Sequence, residues 1–155
     1  MRALICAQKV FDVIERKPLI ASSAGSTDVV SLESGITFKD ITFRYPTQID
    51  TARDIFHKAS FEIKAGQSTA IVGPSGSGKS TIVQLLNRYY DVSEGTIHFD
   101  QTNLIDVNLK SLRETIGYVS QEPVLILGTI RENLMFGNKD ATEEDMKKAL
   151  EMASA

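Results

Sequence analysis

Residues 73–80 have the spacing of a phosphate-binding loop, G-x-x-x-x-G-K-[ST]. The glycines allow the backbone to turn successive N–H groups toward a phosphate chain, where side chains would stand in the way. Lys79 can reach the β- and γ-phosphates as a point charge, and Ser80 can offer its hydroxyl to Mg²⁺. We therefore predict a site for a nucleoside triphosphate, formed by Gly73, Pro74, Ser75, Gly76, Ser77, Gly78, Lys79, Ser80 and Thr81.

Such a loop must follow a buried strand and open a helix, and the flanking residues fit both requirements. Residues 69–72 are a short apolar run that predicts the strand. After the loop, Ile82, Leu85, Leu86 and Tyr89 recur at helical spacing and predict the helix. This context argues against the alternative interpretation, a chance turn rich in glycine and serine.

Length and composition narrow the class of protein. The 155 residues suffice for one domain, or for part of one, with a core of its own. Hydrophobic residues make up 42% and charged residues 24%, as in soluble globular proteins. No apolar run approaches the ~20 residues that span a bilayer, so we predict no transmembrane segment in this chain. The net charge of -3 argues against nucleic acid as a partner.

The N-terminal part of the chain changes character twice. Residues 3–17 carry apolar side chains at helical spacing, and Pro18 ends the pattern, which predicts an amphipathic helix. Residues 19–35 are rich in small and polar types, which is typical of a linker and predicts a domain boundary near Gly35.

Strand patterns lie on both sides of the loop. Residues 36–45 alternate in two phases, which predicts two strand pieces joined by a bulge or turn near Lys39 and Asp40. Alternation over residues 59–63 predicts another strand of an antiparallel sheet. The overall pattern predicts an α/β fold, in which a nucleotide-binding core is joined to antiparallel strands.

After the loop helix, residues 95–100 and 116–120 predict two further strands. Possible capping boxes begin at Ser111, Thr129 and Thr142, and each predicts a helix N-terminus.

Further motifs occur in a fixed order around the loop: Phe-Arg-Tyr-Pro at 43–46, Tyr-Val-Ser-Gln-Glu-Pro at 118–123, and Gly-Thr-Ile-Arg-Glu-Asn-Leu at 128–134. Together they resemble the nucleotide-binding domain of an ATP-binding cassette (ABC) transporter, of the exporter type similar to multidrug-resistance P-glycoproteins. Residues 7–18 are similar to the helix that follows the last transmembrane segment of such exporters. The resemblance implies a RecA-like P-loop NTPase core with an N-terminal antiparallel β-subdomain, truncated before the second half of the cassette.

Residue by residue, the resemblance implies roles outside the loop. Tyr45 matches the aromatic residue that stacks on adenine. Gln121 matches the glutamine whose amide oxygen joins Ser80 in the Mg²⁺ shell, with an ordinary polar turn residue as the alternative. Residues 124–127 form an apolar run that the resemblance assigns to the surface meeting the membrane domain, with a core strand as the alternative.

Parts of the family pattern do not occur in these residues. The Leu-Ser-Gly-Gly-Gln signature, the strand ending in the Walker B Asp with its catalytic Glu, and the switch His are not found. Asp100 ends a strand-like segment but is followed by Gln101, so we interpret it as a hairpin residue rather than Walker B. His57 and His98 are interpreted as ordinary strand residues.

The resemblance therefore implies the ATP-binding part of an ABC exporter, with ATP and Mg²⁺ as ligands. The implied divisions are a juxtamembrane helix (1–18), a linker (19–35) and a partial ATPase domain (36–155). The implied partners are a transmembrane domain and a second nucleotide-binding domain in a head-to-tail dimer, on the cytoplasmic face of a membrane. These residues alone are expected to hydrolyse ATP negligibly. The alternatives are a truncated regulatory module without catalysis, or an unrelated soluble P-loop protein such as a kinase.

Overall fold

The structure, a computed structural model, describes residues 2–29, 31–46 and 54–154. They fall into two units, Met1–Gly117 and Tyr118–Ala155, which are described separately. The elements of the first unit are α1 (Arg2–Ile14), β1 (Gly35–Phe43), β2 (Phe56–Lys64), α2 (Lys79–Leu86), β3 (Glu94–Phe99), β4 (Thr102–Asn103), a 3-10 turn (Leu104–Asp106) and α3 (Leu109–Thr115). The second unit contains α4 (Ile130–Leu134) and α5 (Glu143–Ala153).

The sheet is antiparallel, with strand order β2-β1-β3-β4, as the alternating patterns predicted. In β1 the register shifts between Phe38 and Ile41, and Asp40 between them has φ 48. This bulge changes the phase of alternation, so that both Phe38 and Ile41 are buried. The two strand pieces predicted around Lys39 and Asp40 are thus confirmed as one bulged strand.

Helix α2 follows the glycine-rich loop and buries one face. Ile82 and Leu85 pack with the β1 side chains in a single core cluster. The apolar spacing that predicted this helix is therefore the spacing of its buried face.

The C-terminal end of α2 is held by two arginines. Arg88 adopts φ 48, and its buried guanidinium donates to the Asp91 carboxylate at 2.9 Å and to the Ile105 carbonyl at 2.9 Å. Arg113 donates to the carbonyls of Asn87 and Arg88, each at 3.2 Å. Cations at this end favour the helix, because the C-terminal end of a helix carries partial negative charge.

The segment with linker composition is bonded to the sheet region. Asp100, with φ 54, accepts hydrogen bonds from the backbone N–H groups of Glu33, Ser34 and Gly35 at 2.6 to 3.0 Å. Thr27 also forms a parallel bridge with Val107. These bonds give Asp100 a structural role, which fits its interpretation as a hairpin residue.

Replacing Asp100 with asparagine is expected to lower the free energy of unfolding at pH 7. The N–H groups of Glu33, Gly35 and Ser34 hold the pKa of the Asp100 carboxyl below its usual 3.8, so the folded state favours the anion. That stabilisation is present above the unfolded-state pKa and is lost as pH falls below about 4.

Urea unfolding of both proteins at several pH values measures this difference. The gap between wild type and Asp100→Asn should narrow toward acid pH. Asp106→Asn, which removes an exposed carboxylate from the same unit, is the control. A gap that stays constant from pH 7 to pH 3 would contradict the assigned charge dependence.

Helix α1 is confirmed, although it ends before the predicted residue 17. The residue before Pro18 is disfavoured in helical conformation, which shortens the helix. Val10, Phe11, Val13 and Ile14 on α1 are exposed. Within the described residues, no helix combines the length and apolar character needed to cross a bilayer.

The strands predicted at residues 69–72 and 116–120 are not formed. Val72 is 87% exposed, so the apolar run before the loop is not buried. A strand needs a neighbouring ladder, and no described residue pairs with either segment. An apolar run identifies a segment suited to a sheet, but it does not supply the partner strands.

The N-cap of α3 lies three residues before the predicted Ser111, so this prediction was wrong. Asn108 is the N-cap and accepts from the Lys110 N–H at 2.9 Å. The Ser111 hydroxyl instead donates to the Asn108 carbonyl at 3.1 Å and accepts from the Val29 N–H at 3.0 Å.

In the second unit the two predicted capping boxes are confirmed. The Thr129 hydroxyl accepts from the Glu132 N–H, and the Glu132 carboxylate accepts from Thr129 in return. Thr142 and Asp145 form the same arrangement at the start of α5. Bonds from Thr129 lower the pKa of Glu132, because they stabilise its charged form.

Candidate functional site

The glycine-rich loop joins α2 through Gly78, which is the N-cap residue. Gly76 and Gly78 have φ 79 and 90, a region that side chains disfavour. A Cβ on Gly78 would lie 2.8 Å from the Ile55 side chain and 2.9 Å from the Phe56 ring. Glycine is therefore required both for the backbone conformation and for the close approach of the loop to the start of β2.

Among the residues that the structure describes, no side chain caps the N-terminus of α2. The backbone N–H groups of a first helical turn lack partners within the helix, and the helix dipole adds partial positive charge there. This end of α2 can therefore bind an anion such as a phosphate.

The Lys79 side chain folds back over the loop. Its ammonium donates to the carbonyls of Gly73 and Pro74, at 2.9 and 2.7 Å. The positive charge of Lys79 thus lies over the glycine-rich loop, which leads into the N-terminus of α2. The charge, the helix end and the loop together suit a polyphosphate.

Ser80 lies in the first turn of α2 and is exposed, so its hydroxyl is accessible to a ligand. An uncharged oxygen in this position fits Mg²⁺, which takes few protein ligands beside phosphate and water. Among the described residues, no group of three or more His, Cys, Asp or Glu side chains offers an alternative metal site.

Tyr45 lies just after β1 and contacts α2 directly. Its hydroxyl is 2.9 Å from Thr81 Oγ1 and 2.7 Å from Gln84 Oε1. Its ring meets Phe43 and Tyr90 edge to face, with centroids 5.1 Å apart in both cases. The structure therefore brings the predicted adenine-stacking residue to the helix that carries Lys79, Ser80 and Thr81.

An open groove of about 590 Å³ runs beside Tyr45 and includes Thr42 and Glu94. An ion pair between Arg44 and Asp54, 2.8 Å apart, lies along it. The half-buried Tyr45 ring is thus accessible from a space large enough for a nucleobase.

Gln121 belongs to the second unit and is exposed. Its proposed part in the Mg²⁺ shell remains a prediction. Residues 124–127 are also exposed and form no strand, so the alternative interpretation of a core strand is wrong.

Gln84 was not among the residues predicted for the site. A signal was present, because Thr81 and Gln84 are polar residues spaced i, i+3 beside the apolar residues of α2. That spacing places both side chains on one face, although only the structure shows that this face meets Tyr45.

The sequence of this chain is similar to those of known proteins. Residues 56–155 match the family model described as ABC transporter. The chain is 43% identical over its full length to the ATP-dependent permease MDL1 of Candida albicans, and 42% identical over 151 residues to the multidrug resistance protein pgp-1 of Caenorhabditis elegans. It covers 22% and 11% of these relatives.

A solved structure of an ABC exporter is also similar to this chain. The structure of a bacterial Atm1-family ABC exporter with ATP bound matches 99% of this chain with a TM-score of 0.88 and 37% identity. The match covers 26% of the exporter chain. The chain thus spans about a quarter or less of the length of the proteins it resembles.

Proposed function

The chain belongs to the ABC transporter family, and on this premise we propose that it is the ATP-binding part of an exporter. In the longer protein, ATP binding and hydrolysis would drive movement of a substrate across a membrane. The observation that carries the proposal is the glycine-rich loop closed by Lys79 onto the N-terminus of α2, with Tyr45 bonded to the same helix.

Different residues of the site bind different parts of the nucleotide. The first turn of α2 and Lys79 hold the phosphates, and Tyr45 stacks on adenine. Ser80 and Gln121 would hold Mg²⁺, which neutralises charge on the β- and γ-phosphates when it is bound. The chain's own part is to position the triphosphate, because phosphoryl transfer depends chiefly on alignment and charge stabilisation.

Further partners follow from the family. We propose a transmembrane domain, in the same or an associated chain, and a second nucleotide-binding domain in a head-to-tail dimer. The exposed apolar run at 124–127 supports a protein partner, because contiguous exposed apolar side chains are typical of interaction surfaces. The domain would lie on the cytoplasmic face of the membrane.

Titration of the purified chain with MgATP, MgADP and AMP tests the proposal. We expect ATP to bind at least about tenfold more tightly than AMP, because charge-assisted bonds to the outer phosphates are absent from AMP. Phosphate release measured in the same samples should be negligible, since these 155 residues carry no signature, Walker B or switch motif. Equal affinity for AMP and ATP would contradict a phosphate-binding role for the loop.

A further inference from the structure

The hydroxyl of Tyr45 is held from two sides by one face of α2. Thr81 and Gln84 lie one turn apart, and their side-chain oxygens are 2.9 and 2.7 Å from the Tyr45 oxygen. Both distances are normal for O–H···O hydrogen bonds.

The direction of these bonds follows from the chemistry of the groups. A tyrosine hydroxyl carries one hydrogen, and this hydrogen is donated to Gln84 Oε1. The bond to Thr81 must then run the other way, with the Thr81 hydroxyl donating to the Tyr45 oxygen. Thr81 is 4% exposed, so water competes little for this bond.

Two aromatic side chains also pack against the Tyr45 ring. Phe43 and Tyr90 pack against it at interplanar angles of 79° and 88°, which is the favoured edge-to-face arrangement. An aromatic side chain held in this way has already lost its rotamer freedom. A ligand that stacks on it does not have to supply that ordering entropy.

We propose that Gln84 is a positioning residue for base recognition: through its bond to the Tyr45 hydroxyl, it holds the ring in the orientation on which the nucleobase stacks. This inference rests on the proposed function, because it takes Tyr45 as the residue that meets the base. It adds that base affinity depends on a side chain that touches no part of the nucleotide. The affinity for the triphosphate group itself does not depend on Gln84.

Inorganic tripolyphosphate separates the two contributions, because it presents the phosphates without a base. ATP and tripolyphosphate are titrated into the full chain and into Gln84→Leu, which removes the acceptor at similar volume. We expect Gln84→Leu to weaken ATP binding about fivefold, the effect of one neutral hydrogen bond. Tripolyphosphate affinity should change less than about twofold, because in this proposal Gln84 acts only on the ring that meets the base.

Four further variants control the result. Gln84→Glu keeps an acceptor for the Tyr45 hydroxyl and should restore ATP affinity. Tyr45→Phe removes the hydroxyl and with it the bonds to both Gln84 and Thr81, so it should lose at least as much ATP affinity as Gln84→Leu. The double variant should be no worse than Tyr45→Phe, because the bond to Gln84 is already absent from that variant. Gln101→Leu, at an exposed glutamine in a turn of the same unit, should bind ATP like the wild type.

The outcomes are distinct. Unchanged or tighter ATP binding in Gln84→Leu would overturn the inference, since the bond would then be irrelevant or would hold Tyr45 away from the base. An equal loss of ATP and tripolyphosphate would also overturn it, because Gln84 would then support the fold of α2 generally. Failure of the wild type to bind either ligand would instead remove the proposed function.

Discussion

Replacing Lys79 with alanine is expected to reduce ATP affinity by about 100-fold, since bonds between an ammonium and phosphate oxygens are among the strongest in a site. In the ligand-free protein the ammonium donates to the Gly73 and Pro74 carbonyls. It can exchange these neutral acceptors for anionic ones at short range. Isothermal titration of both proteins with MgATP measures the loss.

Comparing the loss of ATP affinity with the loss of tripolyphosphate affinity shows which part of the nucleotide Lys79 binds. Lys79→Ala should weaken ATP and tripolyphosphate alike, in contrast to Gln84→Leu, which should affect ATP alone. Lys64→Ala removes an exposed lysine at the end of β2 and serves as the control for net charge. If Lys79→Ala bound ATP as tightly as the control, the nucleotide would have to bind away from the loop.

The features of this protein that the sequence predicts are those whose physical cause is local. The loop glycines and Lys79 follow from fixed spacing, and the bulge at Asp40 follows from a change of phase within one strand. The boxes starting at Thr129 and Thr142 follow from bonds that close within four residues. In each case the interacting groups are close in sequence, so a short pattern contains the whole interaction.

The features that the sequence did not predict depend on distant groups. Ser111 matched a cap pattern, but its hydroxyl bonds to Val29, 82 residues away, while Asn108 caps the helix. Residues 19–35 have linker composition, yet their backbone is bonded to Asp100. Tyr45 was assigned to adenine by resemblance, while its bond to Gln84, 39 residues away, appears only in the folded chain.

Replacing Arg88 with alanine is expected to lower the free energy of unfolding by about 3 kcal/mol, the lower end of the range for breaking a buried ion pair. The Arg88 side chain is 5% exposed, and its removal leaves the Ile105 carbonyl without its donor. The partner Asp91 is partly exposed, so water can compensate some of its lost interaction. Urea unfolding at neutral pH measures the change.

The same substitution tests whether the two ends of α2 depend on each other. Lys110→Ala breaks an exposed ion pair with Glu114 and should cost less than about 1 kcal/mol, so it controls for the loss of one positive charge. In conditions where both proteins are folded, Arg88→Ala should bind ATP nearly as well as the wild type, because Arg88 lies at the opposite end of α2 from Lys79. A large loss of affinity in the folded variant would mean that anchoring the C-terminal end of α2 sets the position of its phosphate-binding end. A stability change as small as that of Lys110→Ala would show that the buried guanidinium contributes no more than a surface charge.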